Sequence, residues 1–190
     1  SKLLEKLDGS MIILYWHPYL EQWTPATRGS ILASGSVGNN DCTFSEYFWN
    51  TLEKYSEAYV DLVEDKCSHN LTFVFELTGP ANRILTLYND TGLHLLTVRD
   101  IISLSELSDF HIGQISTELG IPRPRAYRFN KREDIEAIFA TFNPTDEGFV
   151  LTDYSFVNNG NFNRIKIKNP RYTALHHLLG AGDEDLLNSK

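Results

Sequence analysis

From Leu71 to Arg99 the apolar residues recur with period two, and this stretch limits the fold more than any other. Leu71-Thr72-Phe73-Val74-Phe75-Glu76-Leu77 reads as a strand, Thr78-Gly79-Pro80-Ala81-Asn82 as a turn, and residues 83–88 as a second strand. Asn89 to Gly92 is a tight turn, and residues 93–99 form a third strand. Connections this short cannot hold the crossover that a parallel pair needs, so the stretch predicts an antiparallel meander.

Residues 11–17 add a buried strand, stopped by His17-Pro18. Trp23-Thr24-Pro25 is a turn or an edge, and residues 27–33 read as the hairpin partner of that strand. Residues 34–40 are rich in Gly, Ser and Asn and predict a loop. Residues 148–153 and 164–168 predict two more strands around the loop Asn158-Asn159-Gly160-Asn161. Thr43-Phe44-Ser45-Glu46 is a capping box, followed by Phe44, Tyr47, Phe48, Leu52, Tyr55, Tyr59, Leu62 and Val63 at helical spacing. That predicts one long helix, or two joined near Tyr55, with the aromatic stripe in the core. Ser103 to Glu106 predicts the start of a short helix and residues 108–119 another. Pro122-Arg123-Pro124-Arg125 is extended. Asn130 to Glu133 caps a helix with Ile135, Ile138, Phe139 and Phe142 inward, and Pro170 opens a last helix through Leu179. No repeat and no linker interrupts the pattern. The expected class is α+β: antiparallel sheets with flanking helices, in one domain over residues 1–190.

Composition excludes several classes. No apolar run approaches the ~20 residues of a membrane helix. Cys42 and Cys67 make neither a disulfide framework nor a zinc site. The chain opens Ser1-Lys2 without a secretory signal. Reduced thiols and a cytoplasmic location are therefore expected, with no membrane contact. A formal net charge of -8 argues against coating nucleic acid wholesale, while leaving room for a local basic face.

Chemistry-bearing residues fall at strand ends. Lys6-Leu7-Asp8-Gly9 precedes the first strand. Lysine is the side chain here that could form a phosphoramidate, and it attacks phosphorus only as the neutral amine. Arg28 follows the predicted first hairpin, Glu76 lies near the end of its strand, and Glu147 directly precedes the 148–153 strand. Lys166 and Lys168 share one strand face because side chains alternate, while Ile165 and Ile167 take the other, expected to be the core. Two lysines on one face repel unless an anion lies between them, so a nucleotide phosphate would relieve that cost. A solvated strand face is the equally weighted alternative.

These residues carry a resemblance. Lys6-Leu7-Asp8-Gly9, Arg28-Gly29-Ser30, Phe75-Glu76, Glu147-Gly148-Phe149-Val150 and Lys166-Ile167-Lys168 resemble motifs I, Ia, III, IV and V of the covalent nucleotidyltransferase superfamily, in family order. That superfamily comprises ATP-dependent DNA and RNA ligases and mRNA capping enzymes. Pro80-Ala81-Asn82-Arg83-Ile84, Tyr88, Leu95-Leu96-Thr97-Val98-Arg99, Tyr172 and His176 are similar to the connecting text of the T-even phage RNA ligases. The resemblance implies a nucleotidyltransferase core (ATP-grasp-like, the adenylation core of ligases) that uses ATP and Mg2+. It implies that Lys6 takes AMP from ATP, that AMP passes to a 5′-phosphate RNA end, and that a 3′-hydroxyl end then displaces it. Lys166 and Lys168 would hold the α-phosphate, Arg28 and Glu76 the ribose, Leu96 and Val150 the adenine, and Glu147 the metal. Asp8 belongs to the nucleotide-binding set and would orient the lysine loop. The family also carries an upstream region and a C-terminal helical domain, so both flanks are expected to be absent from these residues. No protein partner is implied.

Arg123, Arg125, Arg128, Lys131 and Arg132 form a second basic group that could take RNA phosphate, or stand as a solvated loop and helix start. His176 and His177 predict one buried and one exposed neighbour. Two rival readings remain: another polynucleotide ligase or capping-type nucleotidyltransferase, or a non-catalytic module that binds nucleotide or RNA ends.

Overall fold

The computed structural model describes residues 1–38, 41–64 and 66–187, with the side chains of residues 63, 156, 157 and 180–187 left aside. Asn39 and Asn40 of the predicted loop, and the side chain of Val63, lie outside the described residues. The elements in order are β1 (Lys2–Glu5), β2 (Ser10–His17), β3 (Gln22–Ala26), α1 (Phe44–Leu52), α2 (Ser56–Val63), β4 (Leu71–Thr78), β5 (Gly92–Asp100), β6 (Ser105–Glu106), α3 (Asp109–Glu118), β7 (Ala126–Tyr127), α4 (Arg132–Ala140), β8 (Gly148–Asn158), β9 (Asn161–Lys168) and α5 (Pro170–Leu187). They form two antiparallel sheets, β3-β2-β4-β5-β6 and β7-β1-β8-β9, with flanking helices. The α+β class is as the sequence predicts.

The five-stranded sheet buries one face. Ile12, Leu14, Phe73, Phe75, Leu77, Leu93 and Leu95 alternate inward and pack with Phe48, Leu52, Leu62 and Ile112 of α1, α2 and α3. The capping box forms as predicted, with Thr43 Oγ1 accepting from the Glu46 amide and Glu46 accepting from the Thr43 amide. The aromatic stripe makes two helices, broken at Tyr55, which caps α2 without a side-chain bond. The other sheet has its own aromatic layer, where Phe149 meets Phe139 and Phe142 at 4.7 Å between ring centres.

A β-bulge shapes the opposite face of the larger sheet. Val74 pairs with Thr97 but Phe75 pairs with Leu95, which leaves Leu96 as the extra residue. Burial changes phase there, from Leu93 and Leu95 to Val98, and Leu96 and Thr97 both turn away from the core.

Several predicted elements are different. Residues 83–88 are not a strand: β4 pairs directly with β5, and the intervening segment wraps onto Asp8, whose carboxylate accepts its Leu85 and Thr86 amides. Residues 27–33 are not the hairpin partner of β2; β3 is, with Trp16 opposite Trp23 and Pro25 on the edge strand, where no ladder donor is required. Ser105–Glu106 is a short strand on β5, not a helix start. β1, unpredicted, lies between β7 and β8. Ile165 is 61% exposed, so the face opposite the lysines is not core there. His176 and His177 are both exposed, so neither is the buried neighbour expected.

Candidate active site

The lysine loop joins the two sheets. Lys6 follows β1, and its amide donates to the Gly148 carbonyl at 2.9 Å, which ties it to the start of β8. Its Nζ lies 2.6 Å from Glu147 Oε1, with only 17% and 11% of the two side chains exposed. The Gly9 amide donates to Glu76 Oε1 at 3.1 Å. A Cβ on Gly9 would fall 2.4 Å from the Leu77 carbonyl oxygen, so a glycine is required by the close approach of loop and strand.

Asp8 is 2% exposed and fully engaged. Its Oδ2 accepts from the amides of Leu85 (2.9 Å) and Thr86 (2.8 Å), and its Oδ1 from the Tyr172 hydroxyl (3.0 Å). Its own amide donates to the Tyr88 hydroxyl at 3.0 Å. Burial, and then the Asp8 charge and hydrogen bond, push the Tyr172 hydroxyl far above the usual phenol range; burial raises Tyr88 to about 12. Both phenols therefore stay protonated. Asp8 is an anchor for the lysine loop rather than part of the cavity wall.

That wall encloses about 680 Å³ between the sheets. Lys6, Arg28, Glu76, Leu96, Val150 and Lys166 all line it, although they lie far apart in sequence. Arg28 and Gly29 come from the turn after β3, Leu96 from the bulge, and Val150 and Lys166 from facing positions on β8 and β9. Glu147 sits behind Lys6 through their ion pair, and Lys168, exposed, lies outside the wall. Burial pushes Glu76 up to about 7; Lys6 and the Gly9 amide pull it down, while Glu147 and Asp8 add to the rise.

The sequence reading missed Thr97, Thr152, Tyr154 and Arg164, which also line the cavity, and Glu106 behind them. Arg164 donates to Glu106 through Nη1 and Nη2, at 2.7 and 2.5 Å, and Glu106 also accepts from Thr97 Oγ1 and the Phe162 amide. Burial would raise Glu106, but these donors outweigh it and hold the carboxyl below its usual range. This pair ties β6 of one sheet to β9 of the other. Arg164 was legible in principle, because it shares a strand face with Lys166. Thr152 Oγ1 is buried and has no hydrogen-bond partner among the described residues.

The basic group does not act as one unit. Arg123 is engaged, donating to Asp109 Oδ1 (2.8 Å) and the Tyr154 hydroxyl (3.0 Å). Arg125 lies 5.0 Å from the Tyr127 ring centre, and Arg132 pairs with Glu136. Arg125, Arg128, Lys131 and Arg132 are exposed. Among the described residues no three His, Cys, Asp or Glu side chains cluster to hold a metal by themselves, and no helix is long and apolar enough to cross a membrane.

Comparison with known proteins agrees with this geometry. The chain is 27% identical over 209 residues to the RNA ligase of Rhodothermus phage RM378, covering 93% of this chain and 46% of that one. It shares its fold with the solved Naegleria gruberi RNA ligase with pyrophosphate (TM-score 0.64, 16% identity, 93% of this chain and 51% of that one). The same holds for an archaeal ATP-dependent RNA ligase (TM-score 0.67, 14% identity, 91% and 43%). The chain thus spans about half the length of these proteins. A family profile described as RNA ligase matches residues 1–172. The chain belongs to the RNA ligase family.

Proposed function

We propose that these residues are a single adenylation domain that uses ATP to activate and join RNA ends. The observation that carries this is the Lys6 amine, held by Glu147 at the wall of a cavity that Arg28, Glu76 and Lys166 also line. In the proposed reaction neutral Lys6 Nζ attacks the α-phosphorus of ATP. A nitrogen–phosphorus bond forms, the bond to the bridging oxygen breaks, and pyrophosphate leaves. AMP then passes to a 5′-phosphate RNA end, and a 3′-hydroxyl displaces it as the strand is sealed.

Each residue has a physical task. Lys166 adds positive charge where the transition state gathers negative charge, and Lys168 on the same face reinforces it from outside the wall. Arg28 and Glu76 take the ribose; a carboxyl pushed to about 7 can donate or accept a hydroxyl hydrogen bond. Leu96 and Val150 supply apolar contact for the adenine, and the unpartnered Thr152 hydroxyl adds a polar atom next to it. Glu147 Oε1 lies within reach of the proton that Lys6 must lose. Solved structures that share this fold include a mutant Naegleria gruberi RNA ligase with ATP and Mn. The carboxylate of Glu147 fits a magnesium ion, which prefers oxygen ligands. Glu147 would hold it, and it would supply positive charge at the phosphates. The exposed Arg125, Arg128, Lys131 and Arg132 offer RNA phosphate contacts, and the site of action is the cytoplasm, including that of a phage-infected cell.

Intact mass after incubation with ATP and magnesium tests the reading. A gain of one AMP is expected, lost in Lys6→Ala. A folded protein that never gains AMP, or a Lys6→Ala variant that still does, overturns it. Offering RNA and DNA 5′-phosphate ends to the adenylated protein separates an RNA ligase from other members of the superfamily.

A further inference from the structure

The sheet face that walls the Lys6 cavity continues past it. Met11 lines the cavity near the start of β2, and side chains alternate along a strand, so Ile13, Tyr15 and His17 follow on the same face toward the hairpin tip. Ile12, Leu14 and Trp16 take the opposite face, toward the core. From Met11 to His17 the strand rises roughly 20 Å. Tyr19, in the hairpin turn, extends the row. Ring centres are 5.9 Å apart between Tyr15 and His17 and 6.3 Å apart between His17 and Tyr19. Tyr19 is 92% exposed, Tyr15 and His17 are half-buried, and no other ring packs on these three among the described residues.

The row is fixed and joined to the cavity. The Tyr15 hydroxyl donates to the Ile31 carbonyl at 3.0 Å, and His17 Nδ1 accepts from the Leu20 amide at 3.3 Å. Ile31 belongs to the segment that brings Arg28 into the cavity wall. Charge points the same way. In a chain with 25 acidic and 17 basic residues, this face is poor in acid. Gln22 stands opposite His17, and Thr72 with its partner Arg99 continues the face across β4 and β5. Arg99 donates to Asn161 Oδ1 and to the Leu104 carbonyl, two uncharged acceptors that leave its charge unneutralised. Glu21, in the same turn as Tyr19, lies with Trp16 and Trp23 on the other side of the hairpin, and Glu76 lies inside the cavity. Ring faces flanked by cations suit nucleic-acid bases, which stack on Tyr and His while their phosphates meet positive charge. Bases in a duplex are already stacked on each other, so the strand that fits is unpaired.

We propose that this face binds the unpaired RNA strand leading to the reacting end, with bases stacked on Tyr15, His17 and Tyr19 and phosphates near Arg28 and Arg99. This rests on the reading of the cavity as an adenylation site for RNA ends, and its test measures RNA binding without ATP, so the two fail separately. A fluorescein-labelled, 5′-phosphorylated single-stranded RNA of about 12 nucleotides, followed by anisotropy as the 190-residue protein is added, should bind with a Kd of roughly 1–100 μM at physiological salt. Tyr19→Ala should weaken binding about fivefold, and His17→Ala/Tyr19→Ala about thirtyfold, while Tyr19→Phe, which keeps the ring, stays within about twofold of the parent. An abasic strand of the same length keeps the phosphates and lacks the bases, so parent and variants should bind it alike. Circular dichroism and AMP-adduct formation should be unchanged in the double variant, whose two side chains lie far along the strand from Lys6. A double variant that binds RNA within about twofold of the parent, an equal loss toward the abasic strand, or no saturable change with the parent overturns the proposal.

Discussion

Replacing Asp8 by Asn separates an anchor from a ligand-binding residue. The carboxylate accepts two amide hydrogens on Oδ2 and one phenolic hydrogen on Oδ1, in a position only 2% exposed. Asparagine has one acceptor oxygen. The better of its two orientations keeps that oxygen toward the Leu85 and Thr86 amides and turns the amino group to Tyr172, whose hydroxyl can rotate to accept. The two amide bonds then lose the charge of their acceptor. A hydrogen bond to a charged group contributes about 1.5–3 kcal/mol and a neutral one about 0.5–1.5, so Asp8→Asn should cost about 2–3 kcal/mol. Asp8→Ala leaves three donors without a partner and should cost about 3–6 kcal/mol.

Urea unfolding reads this directly. With a slope near 2 kcal/mol/M, Asp8→Asn should lower the midpoint by about 1–1.5 M. Tyr172→Phe should cost about 1 kcal/mol, and the pair should show a coupling of about 1 kcal/mol in a double-mutant cycle. The rate of AMP addition to Lys6 should fall in Asp8→Asn, because the same loop carries the proposed nucleophile, while ATP affinity stays close to the parent. A variant as stable as the parent within about 0.5 kcal/mol, or one whose whole defect lies in ATP affinity, would refute the reasoning.

Glu76 is raised from 4.5 to about 7 in the folded protein, so its contribution favours the fold below about pH 4.5 and is lost as pH rises through about 7. That is worth on the order of 3 kcal/mol, and a Glu76→Gln variant should flatten stability between those pH values in urea titrations. Glu106 runs the other way: its depressed carboxyl gives stability above its unfolded value, lost as pH falls through the folded one. Glu106→Gln should cost about 2–4 kcal/mol at neutral pH, since it leaves Arg164 facing a neutral partner between the sheets. Gly9→Ala should cost more than about 2 kcal/mol in thermal or urea unfolding, because the 2.4 Å approach to Leu77 is to backbone, which cannot yield as a flexible side chain can.

The larger sheet was legible where one face is buried and period two holds, as in β2 and β4. It was less legible in β5, where the bulge at Leu96 breaks the alternation and no local signal marks it. α1 was legible through its capping box, which is a contact within four residues. Residue types and motif resemblance singled out Lys6, Arg28, Glu76, Leu96, Val150 and Lys166, and these line one cavity from six parts of the chain. What could not be read was partnership at long range. Nothing near Asp8 in sequence says that its carboxylate will hold residues 85, 86 and 172, and nothing near Arg123 says that Asp109 and Tyr154 will take its guanidinium out of the basic face.

The two false strands have a common cause. Residues 27–33 and 83–88 are both rich in β-formers, yet Ile31, Ile84 and Leu87 are 72%, 51% and 67% exposed. A strand exists only if its amides find a ladder, and here the amides are spent elsewhere. Leu85 and Thr86 give theirs to Asp8, and residues 27–30 close on themselves through the bridge between Thr27 and Ser30. The first of these segments puts Arg28 and Gly29 in the cavity wall, and the second clamps the loop that carries Lys6. Local pattern and final structure part company at the segments that shape the cavity, which is where a binding site is expected to override propensity. The physical trade is specific: apolar side chains left in water, in exchange for a lysine loop fixed between two sheets.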